Sequence, residues 1–139
     1  MTFTIDSSVI VASLREQESA HQKSKAFLTE IIEGGYTAYE SAIVPVEVTA
    51  AIRRRTDSRN LARQVKQNLL NLDSLIFCEL SKSRMESAAR IAEKVRIRGM
   101  DAIITQIAQE KDTSLVTLDE ELKNRAKSIV EIRDMDEIL

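Results

Sequence analysis

The sequence predicts an α/β fold of three layers, α/β/α, with a mainly parallel sheet of roughly five strands. Short apolar runs alternate with amphipathic segments along the whole chain. Such alternation implies parallel strands joined by right-handed crossovers, with helices on both faces of the sheet. No internal repeat, low-complexity stretch or Pro/Gly-rich linker divides the 139 residues. We therefore expect a single domain over residues 1–139.

The first half of the chain contains two predicted strands and three predicted helices. The long helix is recognised by an apolar stripe that includes Phe27 and Ile31, and Pro45 suits the first turn of the helix that follows the second strand. In order, the elements are a strand at residues 2–5, a helix at Ser8–Leu14, the long helix ended by Gly34-Gly35, a strand at Tyr36–Ala42 and a helix to about Arg55.

The second half repeats the alternation. Leu61, Val65 and Leu69 form the apolar stripe of one helix, and SLVTL reads as a buried strand. In order, the elements are a helix at Arg59–Leu72, a strand in SLIFCEL, helices at 83–97 and Asp101–Lys111, a strand at 114–118, a helix from Asp119 to about Lys127 and a strand at Ile129–Ile132.

Composition limits the classes of function. The net charge is −2 and the sequence pI is about 5.5, so bulk positive charge does not hold nucleic acid here and any such contact is local. Cys78 is the only cysteine, which excludes an intrachain disulfide and fits a buried thiol. With no signal-like N-terminus and no apolar run near ~18 residues, we expect a cytoplasmic protein without a membrane segment.

Four acidic residues stand where a parallel sheet would bring them together. Asp6 directly follows the strand FTI, and Asp119 directly follows LVTL. Ligands of such sheets bind outside the carboxyl ends of the strands. Glu47 lies among apolar residues in the first turn of its predicted helix, sharing a face with Ala50, Ala51 and Arg54, and Asp101 opens another helix.

Each acid also has an ordinary structural explanation. Asp6, Asp101 and Asp119 all qualify as helix N-caps, and Glu47 could interact with a helix dipole. These explanations do not account for the coincidence of all four at one edge. Four neighbouring carboxylates are tolerable chiefly when divalent cations neutralise them, and hard oxygen ligands select Mg²⁺ or Mn²⁺.

Other catalytic chemistries lack the residues they need. His21, the only histidine, lies in the polar stretch SAHQKSK and is expected to be a solvated helix residue. No phosphate-binding Gly loop, G-x-S-x-G or paired CxxC is present.

The ordered segments DSSVIVASL, VPVEVTAAIRR, RGMDAIITQIAQEK and TSLVTLDEEL resemble the PIN domain, in particular the VapC-type toxins of toxin–antitoxin pairs. The resemblance covers nearly the whole chain. It implies an endoribonuclease that leaves 5′-phosphate and 3′-hydroxyl ends, a homodimer, and an antitoxin partner that inserts a basic residue among the carboxylates. It places the four metal ligands, for Mg²⁺ or Mn²⁺, on Asp6, Glu47, Asp101 and Asp119.

Two further positions match the family, and two depart from it. Thr117 matches a hydroxyl residue and Ser8 a Ser/Asn position near the site, although a plain strand residue and a helix cap explain them equally well. Gly-Met precedes Asp101 where many relatives have Pro, and Glu120 and Glu121 follow Asp119. These two glutamates are either outer groups of the site or solvated first-turn residues.

A basic cluster follows the segment that carries Glu47, and it is the candidate RNA-binding surface or else a solvated helix face. It comprises Arg53, Arg54, Arg55, Arg59, Arg63 and Lys66.

Two competing functions are open from the sequence. One is a catalytically weak PIN-like module that binds RNA or protein. The other is a receiver-like signalling domain, which expects an acidic pair near the first strand and a Lys after a late strand, and neither is evident.

Overall fold

Four parallel strands form the sheet in the computed structural model, which describes residues 1–139. The spatial order is β3-β2-β1-β4, so the chain moves outward from β1 on one side and then returns to pair β4 with its other side. The switch in strand order therefore lies between β1 and β4. The strands are β1 (Thr2–Ile5), β2 (Thr37–Ser41), β3 (Leu75–Cys78) and β4 (Ser114–Val116).

Eight helices connect and cover the strands. They are α1 (Ser7–Leu14), α2 (His21–Ile32), α3 (Ile43–Thr56), α4 (Arg59–Leu70), α5 (Lys82–Lys94), α6 (Gly99–Lys111), α7 (Glu120–Ala126) and α8 (Met135–Ile138). Helix α1 packs on both α2 and α3, and α3 packs on α4, while α5 packs on α6, which lies against β1 and β2. The predicted three-layer α/β/α fold class is confirmed. None of the helices is both long and apolar enough to cross a membrane.

Aliphatic side chains fill most of the core, with one small aromatic group at its β1 side. Phe3 of β1 packs edge-on against Phe27 of α2 and against Tyr36, with ring centroids 5.4 and 5.3 Å apart. Such T-shaped contacts add to the free energy of burial. They hold α2 against β1, the strand that leads into Asp6.

The predicted fifth strand is reduced to one bridge. Ile132 pairs with Leu115 of β4 through two backbone hydrogen bonds, Leu115 N to Glu131 O (2.9 Å) and Arg133 N to Leu115 O (3.1 Å). The amides of residues 129 and 130 instead bond Ala126 O, so the chain wraps around the end of α7 before it reaches the sheet. The prediction of five strands was therefore wrong by one, and α8 was not predicted.

Among the helices, α5 ends earlier than predicted, at Lys94 instead of residue 97, because Val95 is already extended (φ −123°, ψ 143°). His21 is also placed differently from the expectation of a solvated side chain. Only 8 % of its surface is exposed, and its Nδ1 lies 2.8 Å from Ala12 O. The ring thereby ties the start of α2 to the end of α1. Cys78 is a free, buried thiol, as predicted.

Candidate active site

A pocket of about 570 Å³ opens at the carboxyl edge of the sheet, beside the switch point between β1 and β4. All four predicted acidic residues line it, together with hydroxyl and basic side chains from several helices. Its charged and hydroxyl residues are Asp6, Ser7, Ser8, Glu18, Glu47, Arg54, Arg55, Arg98, Asp101 and Asp119. The fold thus brings together carboxylates that are widely separated in the sequence.

Asp6 is the most buried of the four, with 6 % of its surface exposed. Its Oδ2 accepts hydrogen bonds from Ser8 Oγ (2.6 Å) and Thr117 Oγ1 (2.8 Å), and its backbone N–H donates to Val116 O (2.9 Å). Asp6 precedes α1, yet its side chain makes no capping hydrogen bond. The Asp6 carboxylate is therefore held by two side-chain hydroxyls and does not cap α1.

The hydroxyls of Ser8 and Thr117 both donate hydrogen bonds to Asp6 Oδ2. Ser8 Oγ also accepts from Leu118 N at 3.2 Å, and Thr117 Oγ1 accepts from Asp119 N at 3.1 Å. These bonds connect the start of α1 to the segment after β4. The structure therefore brings both predicted supporting hydroxyls into contact with Asp6.

Glu47 lies in the second turn of α3, which begins at Ile43, so the expectation that it sits in the first turn was wrong. It shares the pocket-facing side of α3 with Ala50, Ala51 and Arg54. Burial, followed by the nearby charges of Asp6 and Asp101, raises the pKa of Glu47 from 4.5 to about 7. Its Oε1 is buried without a hydrogen-bond partner. The acceptor capacity of this oxygen is therefore unsatisfied within the chain.

Asp101 lies in the first turn of α6, whose N-cap is Arg98. It is therefore not the helix cap that its position in the sequence allowed. Burial is the largest cause that raises its pKa from 3.8 to about 6, and the charges of Asp6 and Asp119 add to it. Arg98 opposes this shift, while its guanidinium pairs with Glu121 at 3.1 Å.

Asp119 is the one acid of the four that caps a helix. Its Oδ1 accepts from Glu121 N (2.9 Å) and Leu122 N (3.2 Å) at the start of α7. The capping explanation is therefore correct for Asp119 and does not exclude a second role. Its other carboxylate oxygen is not used by the cap.

The chemistry of the pocket fits a hard divalent cation, although the side chains as placed do not form a finished cage. No group of three or more His, Cys, Asp or Glu side chains is arranged to hold an ion. The donors are nevertheless all carboxylate oxygens, the preferred ligands of Mg²⁺ and Mn²⁺. Glu47 Oε1 has no hydrogen-bond partner, and burial together with neighbouring carboxylates raises the pKa values of Glu47 and Asp101, so the site would gain from added positive charge.

The basic cluster is divided between two surfaces. Arg54 and Arg55 line the acidic pocket, and Arg55 pairs with Glu18 at 2.8 Å. The other members line a separate groove of about 330 Å³ between α3 and α4, namely Arg53, Arg59, Arg63 and Lys66. Only the first pair is thus placed beside the carboxylates.

Three residues near the site were missed by the sequence reasoning. The Ser7 hydroxyl shares the pocket with Glu47 and lowers the pKa of that carboxyl, and Arg98 lies at the pocket wall beside Asp101. The third, Glu40, is completely buried in β2. A charged residue inside the strand TAYES is the signal that would have found it, because strands of a parallel sheet are buried on both faces.

An α/β domain with acidic residues gathered at the carboxyl edge of a parallel sheet defines the class of this protein. The PIN domain family matches residues 3–128, and the chain belongs to that family. This confirms the resemblance seen in the sequence. No curated protein matches the chain significantly.

Solved structures of toxin–antitoxin proteins share the fold. VapC20 of Mycobacterium tuberculosis, described as a Sarcin-Ricin loop cleaving toxin, superposes with a TM-score of 0.75 at 18 % identity, covering 96 % of this chain and 99 % of that one. VapBC2 of Rickettsia felis, bound to a DNA fragment from its promoter, gives 0.70 at 15 %, with coverages of 96 % and 98 %. FitAcB of Neisseria gonorrhoeae gives 0.69 at 20 %, with coverages of 96 % and 97 %.

Proposed function

We propose that this chain is an endoribonuclease that hydrolyses RNA phosphodiester bonds with Mg²⁺ or Mn²⁺, and that it is the toxin of a VapBC-type pair. One observation carries the proposal: Asp6, Glu47, Asp101 and Asp119 come from four different parts of the fold and line one pocket. Ordinary helix capping accounts for Asp119 alone among them. A positively charged ligand would relieve the repulsion among the converging carboxylates, which supports the proposal.

The carboxylates divide into holding and orienting roles. Asp6, Asp101 and Asp119 would hold the ion, since each presents carboxylate oxygen at the pocket wall. When bound, Mg²⁺ or Mn²⁺ supplies an activated water and neutralises negative charge on the scissile phosphate. Glu47, whose pKa is raised to about 7 in the metal-free site, would either join the ligands or orient the nucleophilic water.

The surrounding residues prepare the site for this chemistry. Ser8 and Thr117 fix the rotamer of Asp6 by donating to the same oxygen, which leaves Oδ1 free of either hydroxyl. Arg54 and Arg55, at the same pocket, would bind substrate phosphates. A local pair of guanidinium groups is what a chain with net charge −2 needs in order to hold RNA.

The likeness to VapBC and FitAB proteins supports the biological assignment. We propose an antitoxin partner, a homodimer and a cytoplasmic location, where RNA is available. Exposed apolar side chains on α3 and α4, such as Val46 (61 % exposed) and Leu70 (54 %), provide surface for a protein contact. A partner segment that covers the pocket and adds a basic residue would relieve the repulsion among its carboxylates.

The test of the nuclease proposal uses the purified chain and mixed RNA, with Mg²⁺ or Mn²⁺ and with excess EDTA. We expect cleavage that EDTA abolishes. Asp6→Asn is expected to lose more than about a hundredfold in rate while remaining folded, because loss of outer partners of a metal site already costs 10- to 100-fold. Asp73→Asn is the matched control, since Asp73 is exposed and precedes β3 at the opposite edge of the sheet.

Two results would contradict the proposal. RNA cleavage by Asp6→Asn at the wild-type rate would show that the acidic pocket is not the site of cleavage. Metal-dependent RNA or protein binding without any cleavage would instead identify a binding module. The assignment as a toxin is tested separately by the neighbouring reading frame, which we expect to encode a small DNA-binding protein with a basic tail.

A further inference from the structure

Glu40 is the only acidic residue of the chain with no solvent exposure. It lies in the fourth position of β2, among side chains of the sheet core. Burial of an acidic side chain is unfavourable unless its polar atoms are hydrogen-bonded, and buried Glu is rare without a partner. The role of Glu40 must therefore be sought in the contact that it makes.

The carboxyl of Glu40 replaces a missing part of the sheet ladder. Its Oε1 accepts a hydrogen bond of 2.9 Å from the backbone N–H of Ile5. The β1–β2 ladder pairs Thr2 with Thr37 and Phe3 with Ala38 and goes no further, whereas β2 stays paired with β3 through Ser41. Near their carboxyl ends β1 and β2 thus part, and the side chain of Glu40 spans the gap.

This contact lies one residue before Asp6. On the other side of β1, Ile5 pairs with Val116, and the backbone N–H of Asp6 donates to Val116 O at 2.9 Å. The backbone at Ile5, directly before Asp6, is therefore held by β4 on one side and by Glu40 on the other. Without Glu40, the backbone at the end of β1 would be hydrogen-bonded to the sheet on the β4 side only.

The protonation state of Glu40 suits this role. Complete burial, with a smaller contribution from Asp6, raises its pKa well above the usual range, and the Ile5 hydrogen bond only partly opposes this. Protonation, which this shift favours, leaves a carboxyl that adds no negative charge behind the four site carboxylates. Its carbonyl oxygen is still a good acceptor, which the amide oxygen of Gln would reproduce.

We propose that Glu40 is a positioning residue: its hydrogen bond to Ile5 N–H fixes the end of β1 and so holds Asp6 in the orientation that binds the metal ion. This inference rests on the proposed function, because it concerns the metal ligand Asp6. Glu40 itself does not line the pocket.

The test compares Glu40→Gln with Glu40→Leu. Mn²⁺ binding is measured by calorimetry, and exchange of the Ile5 amide proton by NMR in EDTA. We expect Glu40→Leu to weaken Mn²⁺ binding by about 10- to 100-fold, as loss of outer partners of metal sites does, and to speed exchange of the Ile5 amide. Glu40→Gln should stay within about threefold of wild type in both, because its amide oxygen keeps the bond.

Thr105→Val is the matched control. Thr105 is completely buried on α6 and its Oγ1 has no hydrogen-bond partner, so this variant perturbs the core without removing a bond. It should bind Mn²⁺ like wild type. Should Glu40→Leu fail to fold, Glu40→Met is used in its place because its unbranched side chain is closer in shape to Glu.

Three outcomes would overturn the inference. Wild-type Mn²⁺ affinity in folded Glu40→Leu would show that Asp6 does not need this support. Weak binding in Glu40→Gln with a protected Ile5 amide would show that the carboxyl acts in another way. Absence of both Mn²⁺ binding and RNA cleavage in wild type would reject the proposed function itself, which the first two outcomes leave intact.

Discussion

Thr117 Oγ1 donates a hydrogen bond of 2.8 Å to Asp6 Oδ2, although the two residues are 111 positions apart in the sequence. The same hydroxyl accepts from Asp119 N at 3.1 Å. One side chain thus connects the carboxyl end of β1 to the segment after β4, on opposite sides of the switch point. This connection adds to the β1–β4 pairing in setting the relative position of Asp6 and Asp119.

Replacement of Thr117 tests this connection. Thr117→Val keeps the shape of the side chain and removes both bonds, which leaves a buried carboxylate oxygen and a backbone N–H with fewer partners. We expect the free energy of unfolding to fall by about 1–3 kcal/mol. Metal-dependent RNA cleavage should fall by about 10- to 100-fold. Urea unfolding and initial cleavage rates measure the two effects.

The control for this variant is Thr113→Val. It breaks the buried 2.6 Å hydrogen bond between Thr113 Oγ1 and Thr4 Oγ1. Thr113 directly precedes β4, at the opposite end of that strand from Thr117. It should lose stability and keep cleavage. An equal loss of cleavage in both variants would mean that Thr117 acts only through general stability.

Much of the sheet and of the pocket could be predicted from sequence because the relevant signals are local. The segments TFTI and SLVTL, each followed by Asp, predicted β1 and β4, although β4 ends at Val116 and not at residue 118. The carboxyl ends of parallel strands share one edge of the sheet. The pocket-facing side of α3, from Glu47 to Arg54, also followed from helical spacing alone.

The remaining features depend on tertiary contacts that local patterns do not contain. Asp6 and Asp119 both precede helices, yet only Asp119 makes capping hydrogen bonds, because Ser8 and Thr117 hold the Asp6 carboxylate instead. His21 stands in a polar stretch and is buried by the end of α1. The burial of Glu40 depends on where β1 and β2 part, which no local pattern specifies.

The pH dependence of stability provides a test of the electrostatics. Relative to ordinary values of 4.5 and 3.8, the metal-free fold raises the pKa of Glu47 to about 7 and that of Asp101 to about 6. Between the ordinary and the raised pKa values, the folded state binds more protons than the unfolded chain. The free energy of unfolding therefore falls as the pH rises through this window.

In EDTA, we expect the protein to lose about 1–2 kcal/mol of stability between about pH 5 and about pH 8, a value reduced for solvent screening of these half-buried groups. Urea unfolding at the two pH values measures the loss, and Mn²⁺ at the higher pH should reverse it. The Glu47→Gln variant should show a smaller loss. If it shows the same loss as wild type, Glu47 is not the group responsible.

The two surfaces of the basic cluster can be distinguished by salt. Arg54→Gln/Arg55→Gln removes the pair beside the carboxylates. If both contact phosphates of single-stranded RNA, the slope of log affinity against log salt concentration becomes shallower by about 1.4. Fluorescence anisotropy over a salt series measures the slope. Arg59→Gln/Arg63→Gln, in the separate groove, removes the same charge and should leave the slope near its wild-type value.

Asp119 has a capping role and a proposed metal-binding role, and two substitutions separate them. Asn caps helices as well as Asp does, so Asp119→Asn should change the free energy of unfolding by no more than about 0.5 kcal/mol. Asp119→Ala removes the bonds to Glu121 N and Leu122 N and should lose about 1 kcal/mol. Both variants should lose cleavage by more than about a hundredfold, because neither supplies a carboxylate to the ion.

Ser81→Ala is the control for loss of a cap. Ser81 Oγ accepts from Arg84 N at 3.2 Å at the start of α5, so this variant should also lose about 1 kcal/mol while it cleaves RNA at the wild-type rate. Urea unfolding and cleavage rates are measured on all three variants. Wild-type cleavage by Asp119→Asn would show that capping is the whole role of Asp119, because only the negative charge is lost in that variant.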